Sequence, residues 1–168
     1  MKARSTLVAV DTNFLLDLAA DRAACHDAIT AMRARMPSHA VLVPPTTLDE
    51  LGHALTKPPS VGALAQHALR SILRPWKFQP ADFEPVRHGI AERIAENIRT
   101  RGYLPHDEIN DALILAEAAL LDCALLLTSD RHLLDTPAGP LKLLFESHDV
   151  ATPLIVSPKK IVRDFLHR

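Results

Sequence analysis

The chain passes repeatedly from short, fully apolar runs to longer stretches with apolar residues every third or fourth position. Thr6-Leu7-Val8-Ala9-Val10 is β-branched and apolar and predicts a buried strand; Phe14-Leu15-Leu16-x-Leu18-Ala19-Ala20 then sets a helical period, with Asp11 at the junction. A second helix is expected from Ala23 to Met36, with Ala24, Ala28, Ala31 and Met32 inward, and Pro37 stops it. Val41-Leu42-Val43 reads as the next strand and Pro44-Pro45 as a turn. Thr46 or Thr47 is expected to cap a helix whose first turn holds Glu50 and whose apolar stripe is Leu48, Leu51 and Leu55.

Helices are further predicted over about Val61–Leu73 and over Val86–Arg101, where Ile90, Ile94 and Ile98 recur every fourth residue before Gly102. Between them, Arg74 to Pro85 is too punctuated by proline to form one regular element. Another helix is expected from Pro105 to about Leu121. It is apolar nearly all round, and so packed on two sides, with Asp111 as the exception. Leu125–Leu127 and Leu141–Phe145 read as buried strands, Pro153–Val156 as a short edge strand, and Lys159–Arg168 as a terminal helix. Strands alternating with helices imply an α/β chain of three layers: a parallel sheet of about four to five strands with helices on both faces.

At 168 residues and 48% apolar the chain suits one domain, 1–168, with its core over about 6–157. A net charge of −1 gives no global attraction to nucleic acid, so any such contact needs a local basic patch. Cys25 and Cys123 lie in Ala/Leu-rich surroundings and are expected as buried thiols, which leaves no disulfide framework or zinc site. The nine histidines show no HExxH pattern. The start reads neither as a secretory signal nor, like the rest of the chain, as a membrane span, and the compartment expected is the cytoplasm.

Asp11 closes the first apolar run and Asp130 follows Leu125-Leu126-Leu127-Thr128-Ser129, so both are expected at the carboxyl ends of parallel strands, where open α/β sheets bind ligands. Carboxylates gathered there repel one another by roughly 4 kcal/mol per pair at about 4 Å and an effective dielectric of 20. Hard divalent cations such as Mg²⁺ or Mn²⁺ relieve that repulsion. Each acid also has a structural reading: Asp11 and Asp130 as helix caps, Glu50 as a favourable charge in a first turn. Asp49 is the alternative acid beside Glu50, and Asp135 the alternative to Asp130. Asp107 and Glu108 precede Asp111 by four and three residues and are candidates to extend an acidic pocket.

Val10-Asp11-Thr12-Asn13, Leu48-Asp49-Glu50-Leu51, and Asp111-x-x-Ile114-x-Ala116-x-Ala118 followed by Leu127-Thr128-Ser129-Asp130 together resemble the PIN-domain family of metal-dependent ribonucleases, which includes VapC-type toxins. The resemblance spans about Leu7 to Leu133. It implies that Asp11, Glu50, Asp111 and Asp130 form an acidic quartet holding Mg²⁺ or Mn²⁺, which activates a water for hydrolysis of RNA. Thr12, Asn13, Thr128 and Ser129 are candidates to orient the carboxylates, or serve turns and caps. Arg131 and His132 are candidates to meet a phosphate. Arg74 and Lys77, with Arg70, surround Trp76, which is a candidate to stack on an unpaired base or else anchors an irregular connection.

The resemblance further implies an RNA substrate, an antitoxin partner and a homodimer. Two alternatives remain open: a PIN-fold module that binds RNA or protein without cutting, and a housekeeping RNA-processing nuclease, which the long Pro58–Gly102 region favours. A haloacid-dehalogenase-type phosphatase requires an Asp where Asn13 stands. A dinucleotide-binding domain requires a glycine-rich turn after the first strand, and there is none.

Overall fold

The computed structural model describes residues 5–166. Five parallel strands, β1 (Thr6–Val10), β2 (His39–Val43), β3 (Gln79–Pro80), β4 (Leu125–Leu127) and β5 (Leu154–Val156), form one sheet in the order β3-β2-β1-β4-β5. The helices are α1 (Thr12–Ala19), α2 (Ala23–Arg35), α3 (Pro45–Ala54), α4 (Pro59–Ser71), α5 (Pro85–Thr100), α6 (Ile109–Leu120), α7 (Arg131–Leu134), α8 (Ala138–Glu146) and α9 (Pro158–Leu166).

Because strand side chains alternate, each central strand feeds two cores. Val8, Val10, Val41, Val43 and Leu127 pack with α1, α2, α4 and α9 on one face. Ala9 and Leu126 pack with α5, α6 and α8 on the other. This is the three-layer α/β arrangement expected. Both cysteines are buried and free, their thiols pushed up to about 12 chiefly by burial. Among the described residues no helix is long and apolar enough to cross a membrane. The first four residues and the last two of the expected terminal helix lie outside the described residues.

Four expectations need correction. Leu141–Phe145 is helical, part of α8: Leu141, Leu144 and Phe145 are buried while Lys142 and Leu143 are exposed, a helical period that a run of five residues disguises. The fifth strand is instead β3, two residues inside the proline-rich connection. It pairs with β2 at the sheet's edge, where proline's missing N–H costs no ladder bond. α6 begins at Ile109, because Pro105–Glu108 closes a turn, with the Glu108 N–H donating to the Pro105 carbonyl at 3.1 Å. Finally, α3 starts at Pro45 with no side-chain cap, so Thr46 and Thr47 lie inside it and Glu50 falls in its second turn.

Candidate metal centre

The strand order reverses between β1 and β4, the crevice in which open parallel sheets hold ligands. Asp11 and Asp130 stand just past the carboxyl ends of these two strands, which are joined there by the Asp11 N–H donating to the Leu127 carbonyl at 3.3 Å. Asp11 is only 1% exposed. It caps α1 by accepting from the Phe14 N–H at 2.8 Å, while its second oxygen accepts from the Thr128 hydroxyl. Thr128 in turn accepts from the Asp130 N–H at 2.8 Å, so one buried hydroxyl ties the two aspartates together.

Asp130 caps α7 by accepting from the N–H groups of His132 (2.7 Å) and Leu133 (3.4 Å), and its other oxygen accepts from Asn13 Nδ2 at 3.0 Å. The cap reading and the ligand reading of these aspartates are therefore compatible. Capping engages one oxygen of each carboxylate, and the second, which accepts from Thr128 in Asp11 and from Asn13 in Asp130, has a further lone pair to offer.

Two threonines set α3 in place. The Thr47 hydroxyl donates to the Val10 carbonyl at 3.2 Å, and the N–H and hydroxyl of Thr46 donate to Glu117 of α6 at 3.1 and 2.7 Å. One turn on, Glu50 meets α1 and α6, accepting from the Thr12 hydroxyl and from Asn110 Nδ2 at 2.9 Å. Asp49 is exposed and lines a different cavity with Pro80, Asp82 and His88. Asp111, in the first turn of α6, is half-buried.

Asp11 and Asp111 both feel the charges of Asp130 and Glu50. Burial raises Asp11 to about 7; its bonds from Thr128 and Phe14 oppose the rise, and the charges of Asp130 and Glu50 add to it. Burial raises Asp111 to about 8, followed by the charges of Asp130, Asp11, Glu108 and Glu50. No described Lys or Arg forms an ion pair with any of the four acids. Hard oxygen donors, a shortage of positive charge and a buried carboxylate at the centre fit a divalent cation. Asp11, Glu50, Asp111 and Asp130 are the residues that would hold it.

The remaining predicted residues divide. Thr12, Asn13 and Thr128 bond the carboxylates, whereas Ser129 is turned to the Cys25 thiol. His132 lies at the rim, its Nδ1 2.9 Å from Glu108, and Arg131 is exposed and paired with Asp135 at 3.4 Å. Asp107 is exposed. Arg74, Trp76 and Lys77 are not brought to the cluster. They precede β3 and so lie at the amino end of the parallel sheet, where Trp76 packs edge-on to His67, against Phe78 and on the core, with its carbonyl accepting from Arg33 at 3.0 Å.

Two residues escaped the sequence reading. Asn110 has no signal beyond its place beside Asp111. Glu117 does: it is a second charge on the apolar α6, is 2% exposed, and is raised by burial although the bonds from Thr46 oppose the rise. Its work is structural, tying α6 to α3. Glu117→Ala is expected to cost about 2–4 kcal/mol by urea unfolding, because two buried donors on Thr46 lose their acceptor. Glu117→Gln, which keeps an acceptor oxygen, should cost less.

The PIN domain family model matches residues 8–139. The chain belongs to the PIN-domain family. The structure of this PIN protein also superposes on a chain in the crystal structure of VapBC2 from Rickettsia felis bound to a DNA fragment from their promoter. The TM-score is 0.62 at 13% identity, covering 90% of this chain and 98% of that one, a likeness of fold. No curated protein matches the chain in sequence. Membership makes it a protein of a nuclease family, and the acids described above stand within the matched residues.

Proposed function

We propose that this PIN protein is a divalent-metal-dependent endoribonuclease, and that it acts as the toxin of a toxin–antitoxin pair. The observation that carries the nuclease reading is the convergence of Asp11, Glu50, Asp111 and Asp130 at the sheet's switch point without a described cation to balance them. A bound Mg²⁺ or Mn²⁺ supplies Lewis-acid polarisation of the scissile phosphate and activation of the attacking water. The chain's part is to fix the geometry. Thr128 and the Phe14 N–H hold the Asp11 carboxylate, Thr12 and Asn110 hold Glu50 from two sides, and Asn13 holds Asp130. The rim around these acids is exposed at Asn13, Asn110 and His132, so an extended strand of RNA can approach without a lid opening.

The toxin reading rests on the VapC-like motif order together with the likeness of fold to a VapBC2 chain. Its partner is expected to be a small antitoxin that lays an amphipathic segment across the acids and places an Arg among them, in competition with metal. Induction of the wild-type chain alone in a bacterial host is expected to arrest growth, with Asp11→Asn harmless and growth restored by the antitoxin. Harmless wild-type expression, with RNA cleavage intact in vitro, would instead favour a housekeeping RNA-processing enzyme.

A further inference from the structure

The geometry points to a second cation seat in this chain, formed by Glu108, Asp111 and His132, which shares Asp111 with the acidic quartet and prefers transition-metal ions to Mg²⁺. It rests on the metal-dependent nuclease reading and extends it to two residues that reading leaves unused.

Three segments build the seat. Glu108 ends the turn closed by Pro105, and Asp111 follows three residues later on the same side of α6. His132 arrives from α7, whose direction is set by Asp130: that carboxylate accepts from the His132 N–H at 2.7 Å and so swings the ring over the start of α6. One donor atom from each of Glu108, Asp111 and His132 lies within 4.8 Å of the other two. His132 Nδ1 and Glu108 Oε1 are 2.9 Å apart. Adjacent ligands of an octahedral ion with bonds of about 2.1 Å are separated by about 3.0 Å, so this pair already stands at coordination spacing. The ring and the carboxylate thus stand side by side where α7 meets the start of α6.

Chemistry sets the preference. The quartet offers oxygen alone, which suits Mg²⁺ and Mn²⁺ alike. A ring nitrogen beside two carboxylates favours Mn²⁺, Co²⁺ or Zn²⁺, because imidazole binds these ions far better than it binds Mg²⁺. Sharing Asp111 places the second ion next to the first, the arrangement that lets two cations clamp opposite sides of a phosphate.

The test counts bound Mn²⁺ by electron paramagnetic resonance in the purified wild type, His132→Ala, Glu108→Gln and Asp11→Asn. His132 is a rim residue with its side chain 53% exposed, so its removal leaves the core intact. The wild type is expected to hold two equivalents. In His132→Ala and Glu108→Gln the second is expected to weaken tenfold or more, while Mg²⁺ affinity changes less than twofold. A readout that needs no variant protein is the wild-type His132 ring, whose resonances should shift with the first equivalents of Zn²⁺ and stay unmoved by millimolar Mg²⁺. Equal Mn²⁺ counts in the wild type, His132→Ala and Glu108→Gln, or a ring indifferent to Zn²⁺, would overturn the second seat. If Asp11→Asn still lost its Mn²⁺ in that case, the nuclease reading would stand. Unaltered Mn²⁺ binding and RNA cleavage in Asp11→Asn would overturn that reading, and the second seat with it.

Discussion

Asp11→Asn and Asp111→Asn are each expected to lower Mg²⁺- or Mn²⁺-dependent RNA cleavage by about 10³-fold or more while leaving a folded protein. Loss of a charged ligand forfeits several kcal/mol of charge stabilisation at the scissile phosphate, and each 1.36 kcal/mol is tenfold in rate. The fold survives because asparagine is nearly isosteric and, at position 11, is as good an N-cap for α1 as aspartate, retaining an acceptor for the Phe14 N–H. Glu50→Gln should also impair cleavage, since Glu50 faces the cluster between Thr12 and Asn110, whereas Asp49→Asn should not. Single-turnover cleavage of a labelled RNA, beside circular dichroism of each variant, checks all four. Full activity in purified Asp11→Asn or Asp111→Asn would exclude the quartet as the metal site.

Most of the architecture was legible before the structure because it depends on local period. β1, β2 and β4 are apolar runs bounded by turns, and α2, α4 and α5 run within a residue or two of their expected limits. Asp11 and Asp130 were placed by the same logic, since a residue ending a parallel strand has one place to be. What failed depended on partners. Leu141–Phe145 is short enough to satisfy either period, and only its packing beside α5 and α6 decides for helix. Gln79–Pro80 is a strand solely because the exposed edge of β2 is there to receive it. Thr46 looks like a cap in isolation; its hydroxyl instead meets Glu117, a residue 71 positions away. Trp76 and its cations have the composition of a base-stacking site, yet the chain reaches them before β3 and not after it, which sets them at the wrong end of the sheet. His132 and Glu108 meet because Asp130 aims α7, a consequence of capping that spacing alone does not reveal.

The acids that make the site should also make the metal-free protein a pH-dependent one. Asp11 is raised from 3.8 to about 7 and Asp111 from 3.8 to about 8, both chiefly by burial. A carboxyl raised in the folded state holds its proton there over a range in which the unfolded chain has lost it. The contribution of such a group to stability is therefore greatest below the ordinary carboxylate range, declines as pH rises toward about 7 and 8, and levels off above. For Asp11, almost wholly buried, the rise corresponds to about 4 kcal/mol at 1.36 kcal/mol per pH decade. Asp111, partly open to water, and Glu117, raised by burial, act in the same direction. Asp11→Asn removes one of these penalties, that of the most deeply buried carboxyl of the quartet. Without metal it is expected to be more stable than the wild type at pH 8 by on the order of 3–4 kcal/mol, with the gap nearly closed at pH 4. Saturating Mn²⁺ should close most of the gap at neutral pH, because an ion bound only by the native state adds about 2.7 kcal/mol at a hundredfold excess over Kd. The variant has less to gain. Urea unfolding of both proteins at several pH values, with chelator and with Mn²⁺, measures the effect. Parallel pH profiles for the two proteins, unmoved by Mn²⁺, would show that the carboxylates do not share one site.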